Sequence, residues 1–223
     1  MRRLLPLFAV AAAALSARAG ALDLQSQVYI FKPLATLALV ALVLQARSGS
    51  ATRYRTWIAA GLVASLAGDI LLMLPQGLFA AGLAAFLAAH LFYIRAFATD
   101  GAGVHAPVLA GVPVLVAAIA VLAFLWPSLG AMRLPVTCYV TTISVMAWQA
   151  IARWWVRRTP DAAFAAAGSL FFLASDSALA INRFVAPFAG ATLAILGTYY
   201  AAQWGFTLSA CISHGDRLSR RPE

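Results

Sequence analysis

The sequence predicts an all-α fold, a polytopic membrane helical bundle of about eight transmembrane helices in a single transmembrane domain, residues 1–223. Two observations predict it. Hydrophobic residues make up 63% of the chain and charged residues only 10%, against roughly 45 to 50% and about 25% in a soluble domain. Apolar runs of spanning length also recur along the chain, with the cations gathered mostly between them, and leave no length for an extramembrane domain. With a mean hydropathy of +0.87, a water-soluble fold is excluded.

The runs are Leu4 to Ala17, Ile30 to Ala46, Thr56 to Leu74, Gly77 to Ala98, Ala106 to Trp126, Leu134 to Ile151, Asp161 to Asn182 and Ala189 to Cys211. Pro75 and Gln76 make a tight link between the third and fourth, which predicts an antiparallel hairpin. Arg183 to Phe188, with Pro187 inside, make a second hairpin of the seventh and eighth. The first run has two readings, a span or a cleaved secretory signal, because Met1-Arg2-Arg3 precedes a short apolar stretch and Ala17-Arg18-Ala19 follows it. Gly68-Asp69 precedes one hairpin and Ser175-Asp176 the other, a short similarity that suggests two four-helix repeats.

Charge supplies the orientation. If all eight runs span, Arg2, Arg3, Arg47, Arg53, Arg55, Arg95, Arg153, Arg157, Arg158, Arg217, Arg220 and Arg221 fall on one side, and Arg18, Lys32, Arg133 and Arg183 on the other. The positive-inside rule then makes both termini cytoplasmic, in a bacterial inner membrane. The net charge of +9 thus reads as topology and lipid anchoring, and no nucleic-acid partner is expected. Cys138 and Cys211 have no metal-ligand spacing near them, and no cofactor is expected.

Asp23, Asp100, Asp161, Asp216 and Glu223 lie in loops or at segment ends. Asp69 and Asp176 lie inside apolar runs, where an ionised side chain costs at least about 2.5 to 3.5 kcal/mol at the helix centre. A structural reading makes each Asp an interhelical hydrogen-bonding group or the partner of a cation. A functional reading follows from depth. Both runs are directed outward, and each Asp falls roughly 8 to 10 Å inside the outer boundary, so that both carboxylates can face one cavity.

Helical spacing selects their companions. Ser65, Asp69 and Met73 share one stripe, and Ser169, Phe172, Asp176 and Arg183 another. Gly61, Ser65 and Gly68 read as close-packing residues. Lys32 either orients an Asp or binds a lipid phosphate, or else snorkels to the interface. His90 shares a face with Phe79, Gly82, Phe86 and Tyr93; it lies deeper than either Asp by residue count, so a packing role competes with a catalytic one. His105 and His214 fall near segment ends, which argues against a three-histidine zinc site. Tyr139, Thr142, Met146 and Gln149 on the sixth run, and Tyr199, Tyr200 and Gln203 on the eighth, serve either a polar ligand or interhelical hydrogen bonds.

Lys32-Pro33-Leu34, Gly68-Asp69 with Leu72-Met73, the Phe79, Gly82, Phe86, His90 and Tyr93 face, Ser175-Asp176-Ser177 and Tyr199 to Gln203, taken in order, resemble the YhhN-like lysoplasmalogenase family. The resemblance covers most of the chain. It implies a membrane hydrolase that cleaves the vinyl ether bond of lysoplasmalogens to a fatty aldehyde and a glycerophospho-headgroup, with a lysophospholipid as substrate among membrane lipids. That reaction begins with proton delivery to carbon, passes through an oxocarbenium ion and ends when water adds and the hemiacetal collapses. One protonated acid and one charged partner suit it, as in the paired carboxylates of glycosidases. Asp69 and Asp176 are the expected acid and base pair, with Lys32, His90, Tyr93, Tyr139, Asn182, Tyr199 and Gln203 as binding or supporting groups. Two other readings are a small transporter or lipid-translocating protein using the aspartates as a proton relay, and a structural membrane subunit.

Overall fold

The computed structural model describes residues 4–46, 52–74, 76–99 and 108–212. Among these lie eight long helices: α1 (Leu4–Ala21), α2 (Gln25–Gln45), α3 (Thr52–Met73), α4 (Phe79–Phe97), α5 (Val112–Leu125), α6 (Arg133–Arg157), α7 (Pro160–Ala180) and α8 (Ala191–Cys211). Short 3-10 turns flank α5, and a π-helical turn, Ile181–Val185, extends α7. Seven of the helical segments are long and apolar enough to cross a membrane. α8, diluted by Tyr199, Tyr200, Gln203 and Trp204, is the one of similar length that falls short. A helix satisfies its own backbone hydrogen bonds, which is why so apolar a chain is built from helices, with no open sheet edge among the described residues. Pro75, His105, His214, Asp100, Asp216, Glu223, Arg2, Arg3, Arg47, Arg217, Arg220 and Arg221 lie outside the described residues.

Helix limits follow the apolar runs except where amphipathic residues carry a helix past them. α2 begins at Gln25 rather than Ile30, α3 at Thr52 rather than Thr56, and α6 continues to Arg157 rather than Ile151. The extension of α6 is held by Arg153, whose Nη2 donates to Asp161 Oδ2 at 2.5 Å and whose guanidinium lies 4.7 Å from the Tyr54 ring centroid. Tyr54 in turn meets the Ser209 hydroxyl at 2.5 Å, tying α3 to α8 at that end of the bundle.

Helix contacts run in a closed circuit, α1–α2–α3–α4–α6–α7–α8 and back to α1, with α5 outside it against α6. The tightest crossings are the hairpins, and small residues set them. A Cβ on Gly205 would stand 2.9 Å from the carbonyl oxygen of Phe164 and 3.0 Å from Gly168 Cα, so α7 and α8 meet backbone to backbone. A Cβ on Gly61 would enter the Tyr93 ring, and one on Gly68 the Phe86 ring, which are therefore seated on α3 as the small-residue pattern suggests. α5 keeps Leu115, Val116 and Ile119 exposed, an apolar surface suited to lipid. Because α5 stands outside the circuit, a gap remains between it and α4, α6 and α7.

Candidate active site

The α3–α4 and α7–α8 turns lie at the same end of the bundle, since Gly77, Leu78, Ala186 and Pro187 line one cavity there. Asp69 is four residues from the end of α3 and Asp176 four from the end of α7, about one turn in each case, and the π-turn Ile181–Val185 carries the α7 segment five residues further.

Asp69 is 1% exposed and surrounded by donors. Lys32 Nζ lies 3.0 Å from its Oδ1. The Tyr199 hydroxyl donates to Oδ2 at 2.6 Å and Thr36 Oγ1 approaches the same oxygen at 3.3 Å. The network continues inward in one direction: Tyr93 donates to Gln203 Oε1 at 2.9 Å, Gln203 Nε2 donates to the Tyr199 oxygen at 2.9 Å, and Ser65 stands 3.4 Å from the Tyr93 hydroxyl. Lys32 thus pairs with an aspartate rather than reaching for the interface. Thr36, absent from the sequence reading, stands one helical turn beyond Lys32, and that spacing was the available signal.

Asp176 has a different setting. Tyr139 donates to its Oδ2 at 2.5 Å, and no lysine or arginine among the described residues pairs with it. It lines the apolar cavity left by α5, together with Phe79, Phe86, Val121, Leu125, Val136 and Leu173 among others. Asp69 does not line that cavity, so the two carboxylates do not face it together as the depth argument expected. Rings separate them: Phe86 and Phe172 lie 6.0 and 5.7 Å from Tyr199, and Phe172 lies 4.7 Å from His90, centroid to centroid.

His90 corrects the estimate of depth. Its Nε2 lies 4.0 Å from Asp176 Oδ2 and its ring 5.1 Å from that of Tyr139. Helical side chains lean toward the N-terminus of their own helix. α4 starts at the turn end and α7 at the opposite one, so His90 leans up and Asp176 leans down, and the difference in residue count closes. Neither His90 nitrogen has a hydrogen-bond partner among the described residues.

The remaining candidates divide. Asn182 lies in the π-turn, where its Oδ1 accepts from the Phe188 amide at 3.4 Å, and it lines the cavity at the turn end rather than touching either Asp. Thr142 bonds the carbonyl of Cys138 on its own helix, and the Tyr200 ring packs 5.4 Å from that of Tyr199. No group of three or more His, Cys, Asp or Glu able to hold a metal occurs among the described residues. What the arrangement offers is a carboxyl group in an apolar cavity, backed by a buried tyrosine and histidine, and a second carboxylate paired with a lysine behind an aromatic partition.

Residues 27–210, which include every one of these side chains, match the YhhN family. The chain belongs to the YhhN family. Relatives of this YhhN-family chain include lysoplasmalogenase TMEM86A from Homo sapiens, 36% identical over 174 residues, covering 72% of this chain and 66% of that protein. A lysoplasmalogenase from Mycobacterium tuberculosis (strain CDC 1551 / Oshkosh) is 35% identical over 158 residues, 68% of this chain and 59% of that protein. The uncharacterized membrane protein YhhN of Escherichia coli O157:H7 is 35% identical over 150 residues, 67% of this chain and 71% of that protein. The match thus spans less than two thirds of the length of the two lysoplasmalogenases. No solved structure gives a significant match.

Proposed function

We propose that this YhhN-family protein is a membrane hydrolase of lysoplasmalogenase type, which cleaves the vinyl ether bond of a single-chain plasmalogen and releases a fatty aldehyde and the glycerophospho-headgroup. The observation that carries the reading is Asp176, a carboxyl group facing an apolar cavity and held by Tyr139. Relatives that bear the name lysoplasmalogenase support the choice of bond.

In the proposed reaction the Asp176 carboxyl gives its proton to the vinyl carbon on the tail side, leaving an oxocarbenium ion at the ether carbon. Water attacks that carbon and returns a proton to the Asp176 carboxylate. The hemiacetal then loses the glycerol oxygen, which takes the hydroxyl proton, and the aldehyde remains. Asp69, in a net-neutral ion pair with Lys32 and hydrogen-bonded by Thr36 and Tyr199 behind the Phe86 and Phe172 partition, contributes the preorganised dipole of that pair to the field at the cationic intermediate. An inner-membrane location, with both termini cytoplasmic, is supported by the distribution of cations.

Detergent-purified protein incubated with a lysoplasmalogen in deuterated water tests the chemistry. Release of aldehyde with deuterium on the carbon next to the carbonyl is the expected result, and absence of aldehyde rejects the hydrolase. A second reading, transport with a proton relay, draws on the one-way chain of donors from Tyr93 through Gln203 and Tyr199 to Asp69. It requires activity in sealed vesicles and none in detergent.

A further inference from the structure

We propose that Arg183, with Asn182 beside it, holds the phosphate of a single-chain phospholipid whose tail occupies the apolar cavity beside Asp176; the orientation of the lipid rests on the hydrolase reading, the binding does not. The starting point is that two cavities adjoin. The one at the turn end is lined by Gly77, Leu78, Asn182, Arg183, Ala186 and Pro187, and it shares Leu72, Phe79 and Leu179 with the apolar cavity that Asp176 lines. One is polar at its mouth and the other apolar along its walls, which is the chemical order of a lysophospholipid.

Arg183 is placed by two features. The π-turn Ile181–Val185 widens the end of α7, a distortion frequent at functional sites because it re-aims the side chains that follow. The Arg183 guanidinium then lies over Phe79, with Cζ 5.3 Å from the ring centroid. Phe79 is a wall of both cavities, so the cation is held where they join. Among the described residues no carboxylate pairs with it, and a guanidinium stacked on a ring keeps its N–H fork for a planar or tetrahedral anion.

Length agrees with the assignment. Arg183 follows Asp176 by seven residues, about 10 Å along a helix axis. In a 1-alkenyl lysophospholipid about seven bonds separate the carbon to be protonated from phosphorus, about 8 Å when extended. Side-chain reach covers the difference. A lipid with its phosphate at Arg183 therefore sets its vinyl ether opposite Asp176 and directs its tail along Leu173, Ile143 and Ala117, which line the same cavity farther from the turn end.

The test compares binding of four probes by wild type, Arg183→Gln and Arg183→Lys in one detergent: an ester lysophosphatidylethanolamine, the matching monoacylglycerol, glycerophosphoethanolamine alone and a two-chain phosphatidylethanolamine. Wild type is expected to bind the lysophospholipid at least tenfold tighter than the monoacylglycerol. Arg183→Gln abolishes that preference without weakening the monoacylglycerol, and Arg183→Lys keeps part of it. The headgroup alone and the two-chain lipid compete at least tenfold less well. Equal binding of the two single-chain lipids by wild type, an undiminished preference in both variants, or equal competition by the two-chain lipid overturns the proposal, the last by making Arg183 a simple anchor to the bilayer surface. If the glutamine variant does not fold, the reduced preference of the lysine variant decides. Phosphate preference without aldehyde release would reject the hydrolase and leave this site standing; aldehyde release without phosphate preference would do the reverse.

Discussion

Lys32 and Asp69 form a buried ion pair, 3.0 Å from Nζ to Oδ1, with side chains 12% and 1% exposed. Removing one partner leaves the other charge buried and alone, which typically costs about 3 to 5 kcal/mol. Lys32→Met and Asp69→Asn should each lower the thermal midpoint in detergent by several degrees, and the double variant should recover much of the loss. Melting of the three variants side by side checks this; a double variant that loses the sum of both singles contradicts it.

The Tyr139 hydroxyl bond to Asp176 is a hydrogen bond to an acid, a class worth about 1.5 to 3 kcal/mol when the partner is charged. Tyr139→Phe keeps the ring against His90 and should reduce turnover roughly ten- to hundredfold, with little change in the apparent affinity for substrate. Steady-state aldehyde release separates the two. A pure loss of affinity would place Tyr139 in lipid binding instead.

His90 is 0% exposed, and neither ring nitrogen has a hydrogen-bond partner among the described residues. Buried polar atoms without partners cost about 1 to 3 kcal/mol each, so a residue kept there for packing alone is better replaced by an apolar ring. His90→Phe should melt at or above the wild-type temperature and lose hydrolysis. A variant that keeps full turnover assigns His90 to packing.

Two glycines of α8 should respond in opposite directions. At Gly205 a Cβ meets backbone atoms of α7 at 2.9 and 3.0 Å, and Gly205→Ala should destabilise by about 1 to 3 kcal/mol as the hairpin opens. At Gly197 no atom of the described residues would lie within 4 Å of a Cβ, and Gly197→Ala should stabilise by up to about 1 kcal/mol through helix propensity. Thermal midpoints of the pair check the α7–α8 contact without reference to activity.

Much of this site was legible in the residues because a bilayer leaves few ways to place a carboxylate. Asp69 and Asp176 stood out by the cost of burying charge, and a common depth was the expectation from counting to the nearest turn. Lys32 was singled out by its level at the end of the second run, and Tyr139, Tyr199 and Gln203 by their helical spacing along the sixth and eighth. What spacing does not contain is the crossing of helices. The aromatic partition of Phe86 and Phe172, which keeps Asp69 out of the apolar cavity, depends on which helices adjoin. So does the meeting of His90 with Asp176, since it needs the opposite directions of α4 and α7. The displacement of α5, which leaves the cavity, follows from its packing mainly against α6. The π-turn after α7 had no visible cause in a stretch that reads as an ordinary linker with Pro187 inside, and Arg183, although it falls on the stripe of Asp176, was given no role beyond topology.

In the proposed hydrolysis Asp176 delivers the proton to carbon. Its most direct test is the initial rate of aldehyde release by Asp176→Asn, measured on protein that melts within a few degrees of wild type. The amide is close in size and can still accept from Tyr139, but it has no acidic proton to give. A rate lower by at least about a hundredfold is expected; a variant within about threefold of wild type rules out Asp176 as the proton donor.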